Sequence, residues 1–172
     1  MGEQEYSLWL RPEGKAHERL SGLISDLAEQ YNAPRFEPHV TLLGDIAGSY
    51  GDTRARAIPL AGMIRPYSIR LTEIGCGDTF FKCVFIRAEQ ARPVMEANAM
   101  ARKAFNRVND PPYMPHLSIL YGSYRQETKE EIIRQIGGTF NMEFGVKSIC
   151  LVSSSDSTPI EEWRVMGEFK LR

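Results

Sequence analysis

Two segments of the chain repeat one another, and both carry groups able to move protons. Pro34-Arg-Phe-Glu-Pro-His-Val-Thr-Leu-Leu43 and Pro111-Pro-Tyr-Met-Pro-His-Leu-Ser-Ile-Leu120 align position by position: proline, any residue, an aromatic, any residue, proline, histidine, an aliphatic, a hydroxyl residue and two further aliphatics. The chain has only 3 histidines, and two of them fill the same slot of this repeat. The period of two in a β-strand puts His39 and Thr41 on one face, and His116 and Ser118 likewise, while Val40, Leu42, Leu117 and Ile119 point the other way into a core. An imidazole with an ordinary pKa of about 6.5 gives or takes a proton near neutrality. Two of them, one charged and one neutral, can protonate a leaving oxygen and deprotonate an attacking water in the same turnover. Hydroxyl groups beside them can donate to the non-bridging oxygens of a phosphoryl group, where charge gathers in the transition state. That design needs no metal and no cofactor.

The ordinary explanation for each segment alone is structural, since a histidine opening an apolar strand usually just finds a hydrogen bond, and Thr or Ser is common strand chemistry. Joint recurrence in matching slots is what turns the reading toward catalysis. His17, on the polar side of the first helix, reads as a solvated surface residue, and Arg35, beside the first motif, as an exposed cation.

Elements of alternating type must hold these motifs. A strand is expected over residues 5–11, stopped by Pro12 and Gly14, and an amphipathic helix over 15–31 from Leu20, Leu23, Ile24 and Leu27. A short strand follows over 39–43, then a helix over about 53–65 that Pro59 and Gly62 weaken. Residues 67–75 and 79–88 look like a hairpin about the turn Cys76-Gly-Asp78. A helix over 93–108 starts on Pro93, a strand covers 116–121, a short helix 127–136, and strands over 146–153 and 163–171 close the chain. Each repeat segment thus follows a predicted helix, which suggests a duplicated helix–strand element facing itself across a twofold-like axis.

Composition narrows the function classes. The 172 residues are 42% hydrophobic and 25% charged, ordinary for a globular chain and enough for one compact unit over 1–172, or two small lobes sharing a core. Lys plus Arg number 21 and Asp plus Glu 22, a formal net charge of −1 with the signs interspersed. General nucleic-acid binding needs a basic face and is not supported, whereas one pocket for a small phosphate ester needs only a few donors. No apolar run approaches a membrane span, and the N-terminus lacks the pattern of a secretory signal, so no membrane partner is expected and the cytoplasm is the default compartment. Cys76, Cys83 and Cys150 are an odd set without CxxC spacing, as expected of a reduced protein, and no zinc site is indicated.

The paired motifs His39-Val-Thr41 and His116-Leu-Ser118, 77 positions apart, resemble those of the two-histidine phosphoesterase superfamily. Their wider context is similar to the plant and yeast type cyclic nucleotide phosphodiesterases through Tyr6-Ser-Leu-Trp9, the first repeat segment, Thr79-Phe-Phe-Lys-Cys-Val-Phe85, Val94-Met-Glu-Ala97, the second repeat segment to Tyr121, and Glu162-Trp163. The resemblance implies an α+β fold of two intertwined lobes, antiparallel sheets lining a central groove with helices outside. It implies metal-independent opening of ADP-ribose 1″,2″-cyclic phosphate or nucleoside 2′,3′-cyclic phosphates to a phosphomonoester; apart from the resemblance, a monomer is expected. His39 and His116 are then acid and base, with His116 assigned as the base, and Thr41 and Ser118 hold the phosphate. Tyr121, Trp163 and Phe81 match groove positions where an aromatic face could stack a nucleobase. Core packing competes with that role at all three and is favoured at Phe81. A regular strand from His116 points Tyr121 away from the groove unless the strand ends or bulges. Ala101 and Arg107 stand where plant members carry cysteines, so disulfide regulation does not transfer. Two other readings stay open. One is RNA end processing of the 2′,5′ RNA ligase-like type, with RNA termini as ligand. The other is a non-catalytic nucleotide or RNA-binding module. Aliphatic residues after Thr41 and Ser118, where the ligase-like branch carries arginines, favour a small substrate.

Overall fold

The computed structural model describes residues 4–172; the first three residues of the expected 1–172 unit lie outside them. Eight antiparallel strands, β1 (Glu5–Leu10), β2 (Val40–Ala47), β3 (Tyr67–Thr79), β4 (Lys82–Ala88), β5 (His116–Leu120), β6 (Thr139–Val146), β7 (Ser148–Ser153) and β8 (Arg164–Lys170), form one sheet in the order β6-β3-β4-β5-β2-β1-β7-β8. Four helices accompany it, α1 (Gly14–Tyr31), α2 (Tyr50–Met63), α3 (Arg92–Ala104) and α4 (Gln126–Ile136). The sheet falls into two four-stranded halves. They meet at β2 and β5, where Val40 pairs with Leu117.

The helices cross over between the halves. α1, which precedes the first motif, packs on β5 and β6, and α3, which precedes the second, packs on β2. The α1 stripe Leu20, Ile24, Leu27 and Ala28 is buried as its three- and four-residue spacing requires, and Asn32 ends the helix in the left-handed conformation at φ 49°. The α3 stripe Val94, Ala97, Asn98 and Ala101 is apolar except for Asn98, whose Nδ2 donates to the Leu42 carbonyl at 2.7 Å. That bond fixes the helix to the backbone of the first motif's strand.

Several boundaries differ from expectation for local reasons. The α2 helix begins at Tyr50 because Ser49 caps it, its Oγ accepting from the Asp52 N–H at 3.1 Å, and it runs through Pro59. The β3–β4 turn is at Phe80-Phe81, not Cys76-Gly-Asp78, since β3 continues to Thr79 and Thr79 pairs with Lys82. The α3 helix stops at Ala104, before the expected Val108. β2 continues past Leu43 through a bulge: Gly44 and Asp45 lie between the pairs Leu8–Leu43 and Tyr6–Ile46, with Asp45 at φ 53°. β6 was not anticipated at all. Its polar and glycine content (TFNMEFGV) blurs the alternation, and it pairs only with β3, at the sheet edge. Among the described residues, no helix is long and apolar enough to cross a membrane.

Candidate active site

The Val40–Leu117 pairing sets the geometry. Carried one residue to each side in this antiparallel register, it places His39 opposite Ser118 and Thr41 opposite His116. Each imidazole therefore faces the hydroxyl residue of the other motif across the seam between the halves. All four residues line one cleft of about 440 Å³. His39 immediately precedes β2, and His116 opens β5.

Both rings are held in the same way. His39 Nδ1 donates to the Glu37 carbonyl at 2.7 Å, and His116 Nδ1 to the Met114 carbonyl at 2.9 Å, each two residues back. A carbonyl only accepts, so each Nδ1 carries the proton and Nε2 is the free nitrogen. Trp9, the β1 partner of Thr41, lies flat on His39 with ring centroids 3.6 Å apart and planes 6° from parallel. Phe85, the β4 partner of Ser118, presents its edge to His116 at 5.1 Å. Burial pushes His39 down to about 4, helped by the nearby His116 and Arg11 and opposed by the bond to Glu37. His116 is lowered as well, first by burial and then by Lys82 and Arg87, against its bond to Met114. With both pKa values lowered, both rings are neutral near pH 7.

The cleft has two unlike ends. Beyond His39 stand Trp9, Trp163, Phe81 and Tyr121, with Trp163 edge-on to Trp9 at 5.9 Å and Phe81 5.6 Å from Trp163. Tyr121 reaches this wall because β5 ends at Leu120; the conflict of strand parity disappears there, and the ring is 3% exposed. Phe81 is half-buried on the cleft wall, in the β3–β4 turn. Beyond Thr41 and His116 the lining turns polar, with Asn98, Arg102, Arg107 and Tyr113. Tyr113 Oη donates to the Thr41 carbonyl at 2.8 Å.

Some residues take parts that the sequence reading did not give them. His17 is more than a solvated surface group: its Nε2 lies 2.9 Å from the Glu37 carboxylate, on the residue whose carbonyl holds His39. Arg35 is exposed, as expected, and lines a separate cavity behind Trp163. Arg107 binds the Gly44 and Asp45 carbonyls of the bulge and the Asp110 carboxylate. Asn98 could have been found as the one amide on the apolar stripe of α3, four residues after Val94. Trp9 carried no such signal, because aromatic residues are ordinary in a strand. Among the described residues no three His, Cys, Asp or Glu side chains gather for a metal ion, and Cys76, Cys83 and Cys150 are free.

The sequence pattern of the family described as cyclic phosphodiesterase-like protein matches residues 4–171. A cyclic phosphodiesterase from Arabidopsis thaliana is 30% identical over 168 residues, covering 94% of this chain and 92% of that protein. A 2′,3′-cyclic-nucleotide 3′-phosphodiesterase from Yarrowia lipolytica is 26% identical over 142 residues, covering 76% of this chain and 63% of that longer protein. The crystal structure of E. coli LigT complexed with 3′-AMP superposes with a TM-score of 0.69 at 18% identity, with 99% of each chain covered. The α+β architecture is thus shared with LigT, and, with its pattern matched over nearly its whole length, the chain belongs to the cyclic phosphodiesterase-like protein family, enzymes that act on cyclic phosphodiesters.

Proposed function

We propose that the chain hydrolyses small five-membered cyclic phosphates, nucleoside 2′,3′-cyclic phosphates and ADP-ribose 1″,2″-cyclic phosphate, to phosphomonoesters without a metal ion. The observation that carries this reading is the cross-strand clasp, which gives two free Nε2 atoms and two hydroxyl residues to a single cleft. One neutral imidazole takes a proton from water as its oxygen attacks phosphorus. A second, protonated imidazole gives its proton to the ribose oxygen as the P–O bond breaks. The phosphoryl oxygens, which gain charge in between, take a hydrogen bond from Thr41, while Ser118 spends its proton on the Phe81 carbonyl.

The unlike ends of the cleft favour one assignment of roles. A nucleobase stacked against Trp163, Phe81 and Tyr121 puts the ribose on the His39 side, so His39 protonates the leaving oxygen. Water then attacks from the opposite side, next to His116, as in-line displacement demands. This agrees with His116 as base. For a nucleoside 2′,3′-cyclic phosphate the product is the 2′-phosphate, and the relative named as a 3′-phosphodiesterase is consistent with opening on that side. The aliphatic neighbours of Thr41 and Ser118 and the net charge of −1 support a small substrate over an RNA chain.

Phosphorus NMR of the products tests the reading, in EDTA, over ADP-ribose 1″,2″-cyclic phosphate, the four 2′,3′-cyclic nucleotides, 3′,5′-cyclic AMP and a short RNA with a cyclic end. Five-membered rings should open while the six-membered ring of 3′,5′-cyclic AMP stays intact. No turnover of any five-membered ring, or activity that EDTA abolishes and one divalent ion restores, would overturn it.

A further inference from the structure

Thr41 and Ser118 fill the same slot of the repeat, yet their hydroxyls are not in the same state. Ser118 Oγ donates to the Phe81 carbonyl at 2.9 Å, while Thr41 Oγ1 has no partner among the described residues. A hydroxyl has one proton to donate, so the Ser118 side of the cleft is one donor short for a phosphoryl oxygen.

Lys82 follows Phe81 directly and opens β4. Three basic side chains line the cleft: Lys82, Arg102 and Arg107. Arg102 donates to the Asp110 and Pro111 carbonyls, and Arg107 to the Gly44 and Asp45 carbonyls and the Asp110 carboxylate. Nearby Arg87 is engaged with Glu73 and Met114. Lys82 alone of the three has no hydrogen-bond or ion-pair partner among the described residues, although it is half-buried. Its Nζ sits 5.6 Å over the ring of Phe85, whose edge meets His116 at 5.1 Å and whose backbone pairs with Ser118. An uncommitted ammonium thus lines the same cleft as the one hydroxyl that is already spent.

We propose that Lys82 binds the phosphoryl group of the substrate, supplying from the β4 side the donor that Ser118 gives to Phe81. The proposal rests on the cleft being the phosphodiester site. An ammonium suits that position because it is a compact charge with three donors on a flexible stem, able to follow the phosphoryl oxygens as they gain charge. Burial is the main cause that lowers His116, and the charges of Lys82 and Arg87 add to it, which favours the neutral ring that its part as base needs. Cation–π contact with Phe85 is the alternative role, and it would leave catalysis indifferent to the charge.

Three variants and one footprint separate these roles. Lys82→Gln and Lys82→Met should each lower kcat/KM on a 2′,3′-cyclic nucleotide by about 10- to 100-fold, the range of one charge-assisted hydrogen bond. Inorganic phosphate should compete correspondingly less well against both, and Lys82→Arg should stay within about 5-fold of the parent. In the unaltered protein, inorganic phosphate should protect Lys82 from reductive methylation, read by peptide mass. Wild-type kcat/KM and phosphate competition in both neutral variants, or a Lys82 methylated equally with and without phosphate, would overturn the proposal. A parent enzyme inactive on every cyclic phosphate would sink the functional reading instead, while the footprint would still decide whether Lys82 binds phosphate.

Discussion

An anion in the cleft should load His39 with a proton that its burial otherwise refuses. The free ring is held down to about 4 chiefly by its burial, so at pH 7 only about one molecule in a thousand carries the charge that a general acid needs. A phosphodiester brings one negative charge to the two Nε2 atoms. At a separation of roughly 5 Å and an effective dielectric of about 20, it favours the imidazolium by about 3 kcal/mol. That is a rise of about 2.4 pH units, enough to bring His39 close to 6.5 in the complex. Histidine ring resonances followed by NMR through a pH titration, with and without saturating sulfate, test this directly. His39 should half-titrate near 4 when free and move up by about 2 units or more when the dianion is bound. Kinetics should agree: kcat/KM, which reports the free enzyme, should peak on the acid side of pH 6.5, with the kcat profile displaced upward. A free His39 titrating at or above 6.5, or one that sulfate leaves unmoved, would refute the argument that the substrate brings the acid into its charged form.

Replacing His39 or His116 by Ala should reduce kcat by about 10² to 10⁴ each, measured on a 2′,3′-cyclic nucleotide; full activity in either variant would end the acid–base account. Because the folded pKa of His39 is depressed, the unfolded chain takes up its proton below about 6.5 while the folded chain refuses it down to about 4. Stability from this residue is therefore present above that window and lost as pH falls through it, by roughly 3 kcal/mol, and His39→Gln should flatten the acid limb of urea-unfolding free energies between those values. An equal acid limb in the variant counts against the buried neutral ring. Asn98→Leu should cost about 1–3 kcal/mol in urea unfolding, since it leaves the Leu42 carbonyl without its buried partner; a change under about 0.5 kcal/mol would mean that α3 is held to β2 by packing alone. Trp163→Ala should raise KM for a cyclic nucleotide by about 5- to 50-fold with a smaller change in kcat, the signature of one lost stacked base; an unchanged KM would move the base elsewhere.

The sequence made the centre of this molecule readable and its periphery much less so. Both motifs stand out because the repeat fixes residue type at eight of ten consecutive positions, and strand parity then places His39 with Thr41 and His116 with Ser118. Amphipathic spacing likewise gave α1 and α4 nearly to the residue. Tyr121 could not be placed by parity, because whether β5 ends at Leu120 depends on the chain beyond it. Lys82 was invisible for a different reason: a lysine in a strand carries no signal until the turn at Phe80-Phe81 and the bond from Ser118 to Phe81 show which groups around it are already satisfied. The edge strand β6 was missed because its alternation is weak, and an edge position gives it only one partner to satisfy.

The aromatic slot of the repeat has a purpose that follows from the seam. β2 and β5 are joined by a single paired position, and a slip of one residue there would turn the catalytic face of one motif into the core. Something outside the ladder must hold the register. Tyr113, the aromatic of the second segment, reaches over to the Thr41 carbonyl of the first; Phe36, the aromatic of the first, stacks at 3.7 Å on Tyr121 just beyond the second. Each segment thus grips the other's strand with the residue in the same slot, and α1 and α3, packed on the opposite motif's strand, repeat the exchange at larger scale. The two imidazoles meet because every element that carries one motif is braced on the strand that carries the other. What the repeat does not make equal is the last donor: with a hydroxyl free on one side and spent on the other, the twofold-like frame holds an asymmetric site, as a reaction with one entering and one leaving oxygen requires.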